Sequence, residues 1–250
     1  MNPQTLPATN ALTVELLGQN SLLQGLTGAD AAAAVESGRL VHLRTRQEIY
    51  NANAEIREAF FPIDSVLSVV ARLENGQMIE VGTVGREGVS GIPLLLGSTT
   101  SANESYCQVP GMAISMPVAL FTRLQEKNKR FRRSLDQYLQ AYINLLGQLA
   151  ACNRLHSVYE RCARWLLMTH DRVRSDVLPL THEYLGMMLG THRSGVTIAA
   201  ATLKAAGFIE YAQGRITILD RAGLEAASCE CYTVARAQFG ELYGTTTKTP

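Results

Sequence analysis

The sequence predicts an α+β fold in three parts: an N-terminal antiparallel β-roll over 14–122, a long helix over 123–153, and a mixed helical and β domain over 154–244. Three observations carry that prediction. Short apolar runs between glycine-rich turns fill the first part, an apolar heptad runs through the second, and the third holds two helical periods followed at once by two β-rich runs. With 250 residues and 46% hydrophobic content, the chain is long enough to build two cores.

Residues Met1 to about Thr13 are polar and hold two prolines, so a loose arm is expected there. No basic segment followed by an apolar core opens the chain, and no later run approaches the ~18 apolar residues of a membrane span. A cytoplasmic protein without membrane attachment is the expectation. Short helical signals cover Val14 to Val35, with Asp30 beginning an alanine-rich turn. Strand-like runs follow at 38–43, 59–62, 65–73 and 78–84. Glu74-Asn75-Gly76 joins the last two as a hairpin turn, since Asn and Gly both tolerate positive φ. Arg86 and Glu87 then sit in the glycine-rich stretch Gly85 to Gly91, where they read as a surface ion pair beside a turn.

After Pro117 a helical segment opens at Val118 and reaches at least Asn153. Within it Phe131, Leu135, Tyr138, Tyr142, Leu145, Leu149 and Cys152 alternate at intervals of four and three, the seam of a coiled coil. Two readings follow. The seam joins two copies of the chain, or it buries one amphipathic helix within a single copy. A strict heptad is narrower than an ordinary core-facing stripe, which favours a homodimer.

Asn153 to Ser157 is the expected hinge, with Ser157 and Glu160 spaced as a capping box. The next helix, to Arg172, is expected to bury Ala163, Trp165, Leu166 and Leu167 and to carry Arg161, Arg164 and Arg172 outside. A loop from Arg174 to Pro179 leads to the stretch Leu180 to Ile209, which reads as two helices around a tight turn. Thr181 is a good N-cap and Gly190 a good helix terminator. The second helix runs from about His192 to Ala206 and sorts into two faces: Val196, Ala199, Ala200 and Leu203 on one, Arg193, Ser194, Thr197, Ile198 and Ala201 on the other. The first face is core. The second carries a guanidinium, hydroxyls and small apolar groups, the types that read base edges in a DNA groove. Phe208 to Tyr211 and Arg215 to Leu219 then form a β-hairpin around Ala212-Gln213-Gly214, and Asp220 caps one final helix through Tyr232 and Phe239. The tail from Thr245 to Pro250 is expected to be disordered.

The net charge of +1 excludes a bulk polycation. Arg154 to Ala222 nevertheless holds nine Lys or Arg against six Asp or Glu, which suits a module making a few placed phosphate contacts. The five cysteines are scattered and odd in number, as for free thiols. Cys229 and Cys231 read as two apart on one helix, pointing to different sides, so no metal site is expected. No Ser/His/Asp spacing, metal motif or phosphate loop points to an enzyme.

Leu180-Thr181, Leu185-Gly186, Leu189-Gly190, Arg193, Val196, Leu203, Ile209 and Gly214-Arg215-Ile216 together resemble the winged helix-turn-helix of the Crp/Fnr transcription regulators, without a gap. More loosely, the β-roll resembles their effector domain, of the cyclic-nucleotide-binding type. The resemblance implies a homodimeric DNA-binding regulator with RNA polymerase as a further partner. Its DNA-binding residues would be Thr191, His192, Arg193, Ser194, Thr197 and Ile198, with Arg215 on phosphate. Nucleotide-binding members carry a Gly-Glu pair, a short helix and then an Arg for the cyclic phosphate. Here Ser98 to Val109 contains no Arg or Lys, so cyclic AMP is not expected; were the protein to take another effector, the resemblance implies Arg86 and Glu87 as its binding pair. The N-terminal cysteine cluster of oxygen sensors is missing as well, the first cysteine being Cys107, so no iron–sulfur cluster is expected. A lone His42 gives haem no support. The competing function is a ligand-sensing module whose DNA binding is secondary or lost.

Overall fold

The computed structural model describes residues 11–242. The expected disordered tail, and the expected arm up to residue 10, lie outside the described residues. Two compact units emerge from the packing: the described part of 1–69 with 83–140, and 70–82 with the described part of 141–250.

The first unit opens with α1 (Val14–Leu17), a 3₁₀ turn (Leu23–Gly25) and α2 (Gly28–Ser37). Strands β1 (Arg39–Leu43), β2 (Glu48–Tyr50), β3 (Glu58–Pro62), β4 (Val66–Arg72) and β5 (Met78–Val84) follow, then the short α3 (Ile92–Leu95), β6 (Glu104–Val109) and β7 (Gly111–Pro117). They build two antiparallel sheets, one in the order β1-β7-β3 and one in the order β2-β6-β4-β5. Strand β7 is central to the first: Ile114 stands opposite Leu40 on one side and Phe61 on the other. Leu43, Phe61, Val66, Leu67, Ile114 and Met116 are fully buried and form the core of the roll. Removing that much apolar surface from water is the main driving force for closing the two sheets.

Helix α4 (Val118–Lys127) precedes α5 (Lys129–Leu155). The single long helix read from the sequence is therefore two. Asn128 leaves helical geometry at φ −99°, ψ 98°, its side chain accepting from the Phe131 N–H at 2.9 Å and donating to Asp30 at 2.7 Å. A residue whose amide can satisfy the backbone locally breaks a helix at little cost.

The second unit holds α6 (Val158–His170), β8 (Val177–Leu178), α7 (His182–Leu189), α8 (Arg193–Ala205), β9 (Ile209–Ala212), β10 (Arg215–Ile218), α9 (Arg221–Ala227) and α10 (Cys231–Leu242). Its sheet has the order β8-β10-β9. Trp165 is buried, as expected, and its indole N–H donates to Glu80 of the β4–β5 hairpin at 2.8 Å. Among the described residues no helix is long and apolar enough to cross a membrane.

Several expectations need correction. The Arg174–Pro179 loop contains β8, whose backbone pairs with β10. Leu73 pairs with Gln77 around the expected turn Glu74-Asn75-Gly76, but of the Asn75-Gly76 pair only Gly76 takes positive φ, at +82°. Arg161, Arg164 and Arg172 are buried rather than outside. Arg161 and Arg172 donate to carbonyls, Arg172 to Met168 at 2.6 Å, and backbone acceptors of this kind are what allow a guanidinium to leave water. The cationic excess of this region is thus largely internal. The final helix is divided at Ser228–Glu230, so Cys229 lies in a turn and Cys231 opens α10. The premise that both cysteines share one helix therefore fails.

The heptad seam of α5 also needs correction. Phe131, Leu135, Tyr138, Tyr142, Leu145 and Leu149 are all buried within this single chain, at 8% exposure or less. Tyr138 lies over Gly88, where a Cβ would collide with the ring, and Tyr142 lies over Gly82 in the same way. The seam is filled from inside the chain. Its six residues leave little surface for a second copy.

Candidate nucleic-acid interface

The helical pair at the centre of the second unit is set by local chemistry. Ser157 and Glu160 form the expected capping box that starts α6. From α6, Arg161 donates to the Leu189 carbonyl at the end of α7, neutralising an otherwise free acceptor at a helix terminus. Thr181 caps the start of α7, its hydroxyl accepting from the Tyr184 N–H at 3.2 Å. Gly190 ends that helix in the left-handed conformation, φ 59° and ψ 42°. A Cβ there would also run into Ile79 of the β4–β5 hairpin, so glycine is required twice over. The Thr191 N–H returns to the Gly186 carbonyl at 3.0 Å, and Gly190 to His192 alone connect the two helices.

Helix α8 divides as its periodicity predicts. Val196, Ala199, Ala200 and Leu203 are buried, whereas His192, Arg193, Ser194, Thr197, Ile198 and Ala201 are exposed. Ile198 is 69% exposed, a large apolar side chain left in water on a polar face. Thr191 is half-buried in the turn. The Thr197 hydroxyl donates to the Arg193 carbonyl at 2.9 Å and lies 3.3 Å from His182 Nδ1.

Beside α8, β9 and β10 form a wing closed by Gln213 and Gly214, both at positive φ (52° and 72°), the two-residue turn whose twist matches a hairpin. Ile216 and Ile218 point inward, and Arg215 is exposed at the start of β10. Sequence reasoning missed one element of this region. His182, at the start of α7, stacks on Tyr211 of the wing with ring centroids 4.0 Å apart and planes at 23°. Burial, and then the nearby Arg193 charge, hold the His182 pKa below its ordinary value. No sequence spacing signals this stack, because its partners meet only once the wing has folded back.

In the roll, the neighbours Arg86 and Glu87 part company. Arg86 is exposed, while Glu87 is buried with a carboxylate oxygen accepting from the Gly85 N–H at 3.1 Å. Glu87 is therefore not the surface member of an exposed ion pair.

Residues 160–227 match the family model of the Crp-like helix-turn-helix domain. No curated protein matches the chain. Among solved structures, the chain is similar to a Crp/Fnr-family transcriptional regulator from Eubacterium rectale, with 17% identity, a TM-score of 0.65, and coverage of 84% of this chain and 98% of that one. TTHB099, a CRP-family regulator from Thermus thermophilus, has 19% identity, a TM-score of 0.63, and coverage of 75% and 95%. FixK2 from Bradyrhizobium japonicum has 14% identity, a TM-score of 0.63, and coverage of 77% and 98%. The antiparallel roll, the long helix and the winged helical pair are common to this architecture. The chain is thus built on the fold of the Crp/Fnr transcription regulators and carries, at residues 160–227, a Crp-like helix-turn-helix DNA-binding domain.

Proposed function

We propose that the protein is a homodimeric, sequence-specific transcription regulator whose α8 enters the major groove of double-stranded DNA. The observation that carries this reading is the division of α8 into a buried apolar face and an exposed face of His192, Arg193, Ser194, Thr197 and Ile198. Arg193 is the principal base reader, suited to bidentate contact with guanine, and Ile198 offers apolar atoms to a thymine methyl. Thr191 and Arg215 meet phosphate from the turn and the wing.

Dimerisation in this reading uses a different face of α5 from the filled seam. Ile143, Gly147, Ala150 and Arg154 are exposed at intervals of four, three and four, with Ile143 54% exposed. Small residues at Gly147 and Ala150 let two helices approach closely, and a heptad interval keeps the contact in line. Two-fold symmetry then presents paired recognition helices to half-sites about one DNA turn apart. The effector is other than cyclic AMP, because the segment after the short helix of the roll supplies no cation for a cyclic phosphate. RNA polymerase is the further protein partner of a regulator of this type.

Selection of bound sequences from a random duplex pool by the purified full chain tests the reading. Recovery of a two-fold-symmetric motif is the expected outcome. An enriched motif without symmetry would remove the dimer, and absence of enrichment with and without cell extract would remove sequence-specific binding.

A further inference from the structure

Four side chains outside the proposed DNA-reading face converge at one point of the second unit. Cys152 lies in the last turn of α5 and His156 follows that helix, one turn along from it. Cys229 lies in the turn between α9 and α10, and Cys231 is the first residue of α10. One ligand atom from each lies within 4.8 Å of every other. The Cys152 and Cys229 sulfurs are 3.5 Å apart, and Cys231 Sγ is 3.5 Å from His156 Nδ1. In a tetrahedral zinc site, Zn–S bonds of about 2.3 Å and Zn–N bonds of about 2.0–2.1 Å put neighbouring ligand atoms about 3.5–3.8 Å apart. These two separations therefore match the edges of such a site. All three cysteines are buried, at 4% exposure or less.

The surroundings follow the same pattern. A metal-bound histidine normally gives its second ring N–H to a carboxylate, which fixes the tautomer and the ring orientation. Here His156 turns Nδ1 to the sulfurs while its Nε2 lies 3.2 Å from Glu230 Oε2, on the residue between the two cysteines. Gln148 donates to Cys231 Sγ at 3.0 Å. Three thiolates on a divalent ion leave one excess negative charge, and the buried guanidinium groups of Arg161 and Arg164 act electrostatically on Cys152 from α6. The remaining cysteines, Cys107 and Cys162, are buried elsewhere, and burial pushes both thiols up to about 12, as for inert structural cysteines.

We propose that Cys152, His156, Cys229 and Cys231 form a structural site for a thiophilic divalent cation, zinc, which clips the turn between α9 and α10 to the end of α5. The four ligands close the coordination shell, as in structural rather than catalytic zinc sites. Zinc binds the cysteines as thiolates, so loading releases their protons to solvent and affinity rises with pH.

The test is a titration of the reduced, chelator-treated full chain with Co²⁺ and then with Zn²⁺. The expected result is about one Co²⁺ per chain with thiolate charge-transfer absorption and the intense visible bands of tetrahedral cobalt, both abolished by Zn²⁺. Glu230→Gln, at an exposed position that leaves the core intact, should weaken binding by about 10–100-fold. Cys231→Ser should lower the charge-transfer intensity. A weak octahedral spectrum, uptake unchanged by both Cys231→Ser and Glu230→Gln, or a Cys152–Cys229 disulfide in place of metal uptake would each overturn the proposal. Should Cys231→Ser fail to fold, the wild-type spectrum and Glu230→Gln still decide the matter.

Discussion

Helices α5 and α8 are both amphipathic and both read plainly from sequence, yet they spend their apolar faces differently. In α8 the buried face carries the helix against its own unit and the opposite face stays open to solvent, as the spacing predicts. In α5 the spacing locates the buried face correctly, but that face is filled by the same chain, and a second heptad-spaced stripe is the exposed one. Periodicity reports which side of a helix leaves water. It carries no record of which molecule supplies the cover.

Substitutions on the two faces of α5 test that distinction most strongly. Leu145→Ala should destabilise the folded chain by about 2–5 kcal/mol in urea unfolding, independent of protein concentration, because it opens a cavity inside one copy. Ile143→Ala should change that stability by about 0.5 kcal/mol or less while weakening self-association in sedimentation. The reverse pattern would return the filled seam to the dimer. On α8, Arg193→Ala should cost about 1–3 kcal/mol on the selected operator and much less on random duplex; equal losses on both would make Arg193 a phosphate contact rather than a base reader. Thr181→Ala should lower stability by about 1 kcal/mol through the lost cap without altering base preference.

The smallest effect is the pH dependence of the His182–Tyr211 stack. Since the folded pKa of His182 lies below its ordinary 6.5, the unfolded chain takes the proton first. Its contribution is fully present above pH 6.5 and is lost as pH falls toward the depressed folded value. His182→Phe, which preserves a ring on Tyr211, should flatten the stability profile on the acid side of neutrality. An unchanged slope would place the titration elsewhere.

Local chemistry made much of this molecule legible. Thr181, Ser157 with Glu160, and Gly190 mark their helix ends through bonds to residues three or four positions away, and such bonds are written in spacing. The two faces of α8 are legible for the same reason. Strands β6 and β7 were not, because β7 is defined by pairing with β1 and β3, both far away in sequence. Polarity alone puts Arg161 and Arg172 outside, and only the fold supplies the carbonyls that let them in. The convergence of Cys152, His156, Cys229 and Cys231 was hidden by a single misplaced helix boundary. Continued through Ser228–Glu230, the helix splays the two cysteines; interrupted there, it gathers them.

The β4–β5 hairpin sets a condition on dissecting this protein. Residues 70–82 pack with the unit that carries α8, although the chain lays them down within the roll. A fragment beginning at residue 141 would therefore be a helix-turn-helix unit with a piece missing. It would lack Ile79, which packs at Gly190 where the helical pair turns, and Glu80, which accepts the Trp165 indole N–H. A truncation that keeps every residue of the helix-turn-helix would thus leave a buried donor without its acceptor, and DNA binding is best measured on the uncut chain.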